Sequence, residues 1–179
     1  MKKLLTLVCF AAASFAVNAQ SAPKNALKIN PVSALIKTGN ISYERAIAKN
    51  QSLQLGVFYS GLGIGDFKYD GFGVTPEYRF YFGGNGQVLN GGYVAPFGRY
   101  QQFSIADKTS SDKAKFETIG GGAVLGWAKS WNSGFVLDIF AGPSYNNIRF
   151  KSGSEDNFDI KGGIKGFGLR TGVSIGFTF

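Results

Sequence analysis

The segment GFGLRTGVSIGFTF, residues 166–179, alternates between two kinds of side chain along its whole length. Successive side chains of a β-strand point to opposite faces, so a strand built from this segment carries one kind on each face. The alternation predicts a strand with two rows. The outer row is apolar: Phe167, Leu169, Val173, Ile175, Phe177 and Phe179. The inner row is small or polar: Gly168, Arg170, Gly172, Ser174, Gly176 and Thr178.

Similar alternation recurs in seven earlier segments, most of them long enough for the roughly 9–11 residues with which a tilted strand crosses a bilayer. In lipid, only a closed barrel satisfies every backbone group of such strands, and eight strands leave room inside only for side chains. The sequence therefore predicts an all-β fold, an eight-stranded antiparallel up-and-down transmembrane β-barrel with a polar, side-chain-filled lumen. A soluble lipocalin-like barrel is the alternative, and it would turn its apolar residues inward. The predicted strands are residues 26–36, 40–47, 53–62, 71–82, 93–103, 116–128, 135–148 and 166–179.

Turn chemistry predicts which connections are short. Residues 48–51, 83–92 and 130–134 should form periplasmic turns, since the last two contain Gly-Gly-Asn-Gly and Asn-Ser-Gly. The remaining connections, which include residues 63–70, 105–115 and 149–166, should face outside. Four prolines fall inside predicted strands, where each removes a ladder donor, so bulges or kinks are expected there. They are Pro31, Pro76, Pro96 and Pro143. Aromatic girdles are expected from Tyr43, Tyr59, Tyr78, Tyr93, Tyr100, Trp127, Trp131 and Tyr145.

The first nineteen residues have the pattern of a secretory signal peptide. Lys2 and Lys3 precede an apolar run over residues 4–17, which is too short to span a bilayer as a helix. Residues 17–19, Val-Asn-Ala, fit the small-x-small rule for cleavage after Ala19. The pattern predicts export through the Sec pathway, a signal peptide over residues 1–19, and one barrel domain over residues 20–179.

Composition excludes several classes of function. The chain has no histidine, and its one cysteine, Cys9, lies in the predicted signal peptide. Disulfides, serine–histidine catalysis and histidine or thiolate metal sites are therefore excluded from the mature chain. The formal net charge is +8, but the basic residues are scattered and the chain is exported, so no nucleic-acid partner is expected. We expect no catalytic site, no metal and no cofactor, although a serine–lysine pair stays open without any spacing to support it.

Inner-row charges are the candidate functional residues. Four are basic and three are acidic, and in a narrow lumen they should pair, because an unpaired buried charge is costly. The favoured interpretation is a salt-bridged plug that sets the register and seals the lumen. A gate or an ion path, and a catalytic pair formed by Glu44 and Glu77, are the two alternatives. The seven residues of the predicted lumen charge network are Lys28, Glu44, Glu77, Arg79, Arg99, Asp138 and Arg170.

The signal peptide, the eight strands and the final aromatic Phe179 resemble the small outer-membrane barrels of Gram-negative bacteria, such as OmpX and the OmpA membrane domain. Residues 29–31, 74–82 and 141–143 look like a subfamily of such barrels. The resemblance implies that Phe177 and Phe179 form the signal read by the barrel-assembly machinery. It also implies a location in the cell outer membrane, with lipopolysaccharide and other outer-membrane lipids as partners and a further protein partner left open.

The function expected from these features is non-catalytic. The protein should serve envelope structure or interaction as an integral outer-membrane barrel. The alternative is a porin-like role, with small solutes or ions passing through the barrel. A continuous lumen would favour that alternative, and an interlocked set of luminal charges would oppose it.

Deletion of Phe179 is expected to block assembly of the barrel in cells, because it removes the aromatic residue of the predicted assembly signal. The measurement is the amount of heat-modifiable barrel on gels of outer-membrane fractions. Normal levels of that species in the deletion variant would contradict the assembly role given to the closing strand.

Overall fold

The computed structural model describes residues 24–35, 37–64, 67–107, 113–152 and 166–179. In this part of the chain, eight antiparallel strands each pair with the next, and β8 pairs with β1 to close the barrel. The eight-stranded antiparallel fold expected from the sequence is confirmed. The predicted signal peptide and its cleavage site lie outside the described residues. The strands are β1 Asn25–Ile29, β2 Thr38–Ala48, β3 Gln51–Ile64, β4 Phe67–Gln87, β5 Asn90–Asp107, β6 Lys113–Ser130, β7 Phe135–Ser152 and β8 Gly166–Thr178.

Polarity is inverted relative to a soluble barrel. Large apolar side chains face outward, with Phe167 85% and Leu169 74% exposed. Charged side chains face the lumen, where Lys28, Glu44 and Arg79 are fully buried. The two faces follow the period-two alternation of the sequence, as the strict burial pattern of β4 around residues 71–81 shows. No helix in the described ranges is long and apolar enough to cross a membrane.

The first predicted strand is too long. β1 ends at Ile29, and Pro31–Leu35 forms a short helix, α1. Asn30 ends the strand because its side-chain oxygen accepts a hydrogen bond from the backbone N–H of Ser33 at 3.1 Å, an N-cap arrangement. Pro31 then occupies the first helical position, where its missing N–H costs nothing. The prediction of residues 31–35 as strand was therefore wrong, and Pro31 lies outside the barrel wall.

The expected bulges at the other three prolines are also absent. Pairing of β4 with β5 is interrupted beside Pro76 and Pro96, yet Val74↔Tyr100 and Glu77↔Phe97 keep one register. Across Pro143 the β6–β7 register is likewise unchanged. A proline lacks a backbone N–H, but its carbonyl still accepts a hydrogen bond. Each proline therefore costs the strand pairing one hydrogen bond without changing the register. The register shifts lie elsewhere, between Ala46/Ala48, Phe82/Gln87 and Lys115/Phe116.

The barrel has a turn end, which carries the three short connections β2–β3, β4–β5 and β6–β7. The three connections predicted to be short turns are short, but the β4–β5 turn is not the glycine-rich segment. β4 continues to Gln87, and the turn is formed by Val88 and Leu89, with Leu89 at a φ of 64°. The Leu89 side chain is fully buried against Ala26 and Val136. This turn therefore folds inward and places an apolar contact at the turn end.

The opposite, loop end carries α1 and the connections over residues 65–66, 108–112 and 153–165, which lie outside the described residues. Strand pairing reaches further toward this end than predicted. Ile64 pairs with Phe67, and Ala106 pairs with Lys113. Most of the predicted external loops over residues 63–70 and 105–115 is therefore strand.

Closure of the barrel depends on a close approach at Gly176, which pairs with Lys28 of β1 and with Val136 of β7. A Cβ atom on Gly176 would lie 2.0 Å from the carbonyl oxygen of Leu27 and 2.7 Å from the Cα atom of Lys28. Both are backbone atoms and can yield only by moving β1 away from β8.

We therefore expect Gly176→Ala to lower the free energy of unfolding by about 1–3 kcal/mol, the usual cost of overpacking. The measurement is urea unfolding of the refolded barrel, with heat-modifiable gel mobility as the check of folding. Gly56→Ala is the matched control, because Gly56 also faces the lumen but its added Cβ would meet its nearest atom at 3.7 Å. Equal stability of the two variants would contradict the tight closure at Gly176.

Candidate functional site

Six charged side chains meet inside the barrel, supplied by five strands. β1 carries Lys28, β2 carries Glu44, and β7 carries Asp138, while β4 supplies Glu77 and Arg79 and β8 supplies Arg170. Each occupies a lumen-facing position of its strand, so closure of the barrel brings together residues up to 142 positions apart in the sequence (Lys28 and Arg170). Six of the seven predicted luminal charges thus form one cluster, which we call the luminal network.

Lys28 and Arg79 hold the two carboxylates nearest the turn end. The Lys28 ammonium donates to Glu44 Oε2 at 2.6 Å and to Asp138 Oδ2 at 2.7 Å. Arg79 Nη1 donates to the same two oxygens, at 3.2 Å and 2.7 Å. Two cations therefore share two carboxylates in a compact four-membered arrangement. All four residues are at most 1% exposed.

Arg79 also links this arrangement to Glu77. Its Nε and Nη2 atoms donate to Glu77 Oε2 at 3.2 Å and 3.0 Å. The Arg79 guanidinium lies 4.4 Å from the centroid of the Tyr93 ring. Arg79 thus contacts all three carboxylates of the luminal network, and no other described cation does so.

Hydroxyl groups complete the coordination of the carboxylates. Ser52 and Tyr81 donate to Glu44 Oε1 at 2.6 Å and 2.7 Å, and Tyr93 donates to Asp138 Oδ1 at 2.7 Å. Tyr93 was predicted to belong to an aromatic girdle, and that prediction was wrong, since its side chain is fully buried. Tyr93 and the inner-row residue Arg99 are an even number of positions apart on β5, so alternation places both side chains on the lumen face. This is the sequence signal that could have located Tyr93. Neither the hydroxyl of Tyr81 nor that of Ser52 was anticipated as a partner.

Arg170 closes the network toward the loop end. Its Nη2 atom donates to Glu77 Oε1, and its guanidinium lies 4.3 Å from the Phe97 ring centroid and 4.8 Å from that of Phe140. Arg99, the seventh predicted residue, is not part of the network. Its guanidinium lies 5.4 Å from the Phe97 centroid, and it forms no ion pair with any carboxylate in the described ranges.

Hydrogen bonds within the protein limit the chemistry that the carboxylates of the luminal network can carry out. Both oxygens of Glu44, Glu77 and Asp138 accept hydrogen bonds from protein groups. Three cations match three carboxylates, so the luminal network is electrically neutral. No group of three or more histidine, cysteine, aspartate or glutamate side chains in the described part of the chain could hold a metal ion. The arrangement favours a structural plug over acid–base chemistry by Glu44 and Glu77.

The two residues of the predicted assembly signal lie at the seam between β8 and β1. Phe177 is outward, 65% exposed, and its ring packs edge-on against Phe135. The backbone N–H of Phe179 donates to Asn25 O at 2.9 Å, and Asn25 N–H donates to Phe179 O at 3.0 Å. Their role in assembly stays a prediction.

Residues 5–161 match the model of the family described as "Protein of unknown function (DUF3575)". The chain belongs to this family. No curated protein matches this chain.

The chain is similar to a solved structure, the N-terminal β-barrel domain of OprF from Pseudomonas aeruginosa. The likeness has a TM-score of 0.51 at 14% sequence identity, and it covers 89% of this chain and 100% of the OprF domain. At this identity the likeness shows the fold alone. The likeness agrees with the closed eight-stranded barrel of this chain.

Arg79→Met should be strongly destabilising, because it leaves three buried carboxylates against two cations. We expect the free energy of unfolding to fall by about 3–5 kcal/mol, measured by urea unfolding in detergent. Adding Asp138→Asn removes one carboxylate charge and restores the match. The double variant should therefore lose less stability than the sum of the two single variants.

Arg45→Met is the matched control, because Arg45 lies on the outward face and is exposed. It should change stability by no more than an exposed charge does, under about 1 kcal/mol. Equal losses in Arg79→Met and Arg45→Met would show that the luminal network does not hold the barrel together.

Proposed function

We propose that this protein is an integral outer-membrane β-barrel with a non-catalytic role in envelope structure or interaction. The observation that carries the proposal is the outward apolar surface. Leu27, Leu55, Leu125, Ile139 and Leu169 are all between 44% and 74% exposed on different strands. Soluble monomers rarely expose contiguous apolar areas of this kind, whereas a barrel in lipid requires them.

Aromatic side chains support an orientation for this surface. Trp127, Trp131 and Phe177 lie outward near the turn end, and Tyr145 packs edge-on against Phe167 near the loop end. Aromatic girdles of this kind mark the two interfaces of membrane barrels. The turn end would then face the periplasm, where Arg45 and Lys49 are exposed and suited to lipid headgroups.

Biogenesis and partners follow from the same proposal. The signal-peptide pattern of residues 1–19 supports export through the Sec pathway. The closing strand with Phe177 and Phe179 supports delivery to the barrel-assembly machinery. Outer-membrane lipids, including lipopolysaccharide at the loop end, would be the permanent surroundings of the folded barrel.

A transport role is less well supported. The luminal network occupies the barrel with side chains that are almost wholly buried, and Leu89 packs against Ala26 and Val136 at the turn end. A solute would have to displace both the ion pairs and this apolar contact. A catalytic role has no support either, since every network carboxylate already accepts hydrogen bonds from protein groups.

Leu125→Arg separates a membrane barrel from a soluble one. In a bilayer, an outward arginine near the midplane costs about 2–4 kcal/mol. On a water-exposed surface the same substitution changes the free energy of unfolding by no more than about 0.5 kcal/mol. We expect the larger loss of unfolding free energy, measured by urea unfolding of the barrel folded into phosphatidylcholine vesicles.

Leu35→Arg is the matched control, because Leu35 is 84% exposed on α1, beyond the end of β1. It should leave stability unchanged within about 0.5 kcal/mol. If Leu125→Arg is as neutral as Leu35→Arg, or if the protein is recovered from cells in the soluble fraction, the membrane proposal fails.

A further inference from the structure

The lumen is not filled throughout. On the loop-end side of the luminal network lies a cavity of about 310 Å³. Its wall is mostly polar and includes Ser42, Gln54, Thr75, Gln101 and Ser174. The guanidinium-bearing residues Arg99 and Arg170 line it together, and Glu77 is the one carboxylate residue in its wall among the described residues. This loop-end cavity has no role in the proposed function.

Charge is unevenly distributed around the loop-end cavity. Glu77 already accepts from Arg79 through Oε2 and from Arg170 through Oε1. The luminal network is thereby neutral without Arg99. Arg99 brings one further positive charge into the barrel, and no carboxylate in the described ranges forms an ion pair with it. A partly buried cation of this kind is stabilised by a counter-charge.

Arg170 offers a second donor. Its Nη2 atom is engaged with Glu77, but its Nη1 atom is buried and has no hydrogen-bond partner among the residues that the structure describes. Both arginines lie against the same ring, that of Phe97, with guanidinium-to-centroid distances of 5.4 Å for Arg99 and 4.3 Å for Arg170. One aromatic ring therefore helps to position both guanidinium groups at the wall of the loop-end cavity.

We propose that the loop-end cavity binds a small oxyanion, a free phosphate or carboxylate, held between Arg99 and Arg170. The planar guanidinium fork matches the paired oxygens of such groups and donates two parallel N–H bonds to them. The surrounding hydroxyl and amide groups of Ser42, Thr75 and Gln101 supply further polar contacts. A cavity of about 310 Å³ holds a small molecule and leaves a macromolecule outside. The inference does not depend on membrane insertion.

The test is isothermal titration of the mature chain folded in a neutral detergent, at constant ionic strength. Sodium phosphate, sodium acetate and sodium chloride are titrated separately. Phosphate or acetate should bind saturably at one site, and the tighter of the two identifies the source of the oxyanion. Chloride should bind at least tenfold more weakly, because it cannot accept a bidentate fork.

Three variants assign the site. Arg99→Gln should weaken oxyanion binding at least tenfold, and Arg99→Lys, which keeps the charge but loses the fork, should give an intermediate affinity. Arg45→Gln, on the outward face, should leave binding unchanged. Each variant is first checked for heat-modifiable gel mobility, and the side-chain N–H resonances of Arg99 and Arg170 in the unaltered protein provide a readout independent of any substitution.

Saturable binding that shifts these resonances and falls in Arg99→Gln would support the proposal. No saturable binding, equal effects of Arg99→Gln and Arg45→Gln, or equal binding of chloride and oxyanions would overturn it.

Discussion

Neutralisation of charge in a narrow lumen is the constraint on which this structure depends. Three buried carboxylates face three cations, where an unpaired charge could not be solvated by water. Arg79 contacts all three carboxylates. Because these six residues come from five strands, the ion pairs form only when all five strands have the correct register. A slip by one residue would turn the charges of a strand outward. Registers that would leave these buried charges unpaired are therefore disfavoured relative to the observed one.

The backbone accommodates the luminal network in two ways: two strands approach closely at a glycine, and the strand pairing tolerates missing hydrogen bonds at prolines. Gly176 lets β8 and β1 meet next to Lys28, where even a methyl group would strike the backbone. Pro76 and Pro96 both interrupt the pairing of β4 with β5. The two strands nevertheless keep their register, because the proline carbonyls still accept hydrogen bonds. The wall can lose single hydrogen bonds, but it cannot accept a shift of register that would separate Glu77 and Arg79 from their partners.

The polarity and filling of the lumen change along the barrel axis, and this affects whether solutes could pass. The turn end is apolar, with Leu89 packed against Ala26 and Val136. The middle is a neutral set of ion pairs, which opposes passage of solutes. Toward the loop end lies the polar cavity beside Arg99 and Arg170. This order of apolar contact, ion pairs and polar cavity within the described residues fits the proposed structural or interaction role better than conduction.

The sequence alone determined the strand count, most of the inward and outward positions and the identity of the luminal charges, because period-two alternation is local and follows from backbone geometry. Turn chemistry also located the β6–β7 turn, but not the residues that form the β4–β5 turn. Only the tertiary structure decided that Pro31 begins a helix, that Leu89 forms the inward turn and that Tyr93 belongs to the lumen. It also decided that Arg99 stands apart while six other charges interlock. Which charge meets which depends on the register of strands distant in sequence, and no local pattern encodes those distances.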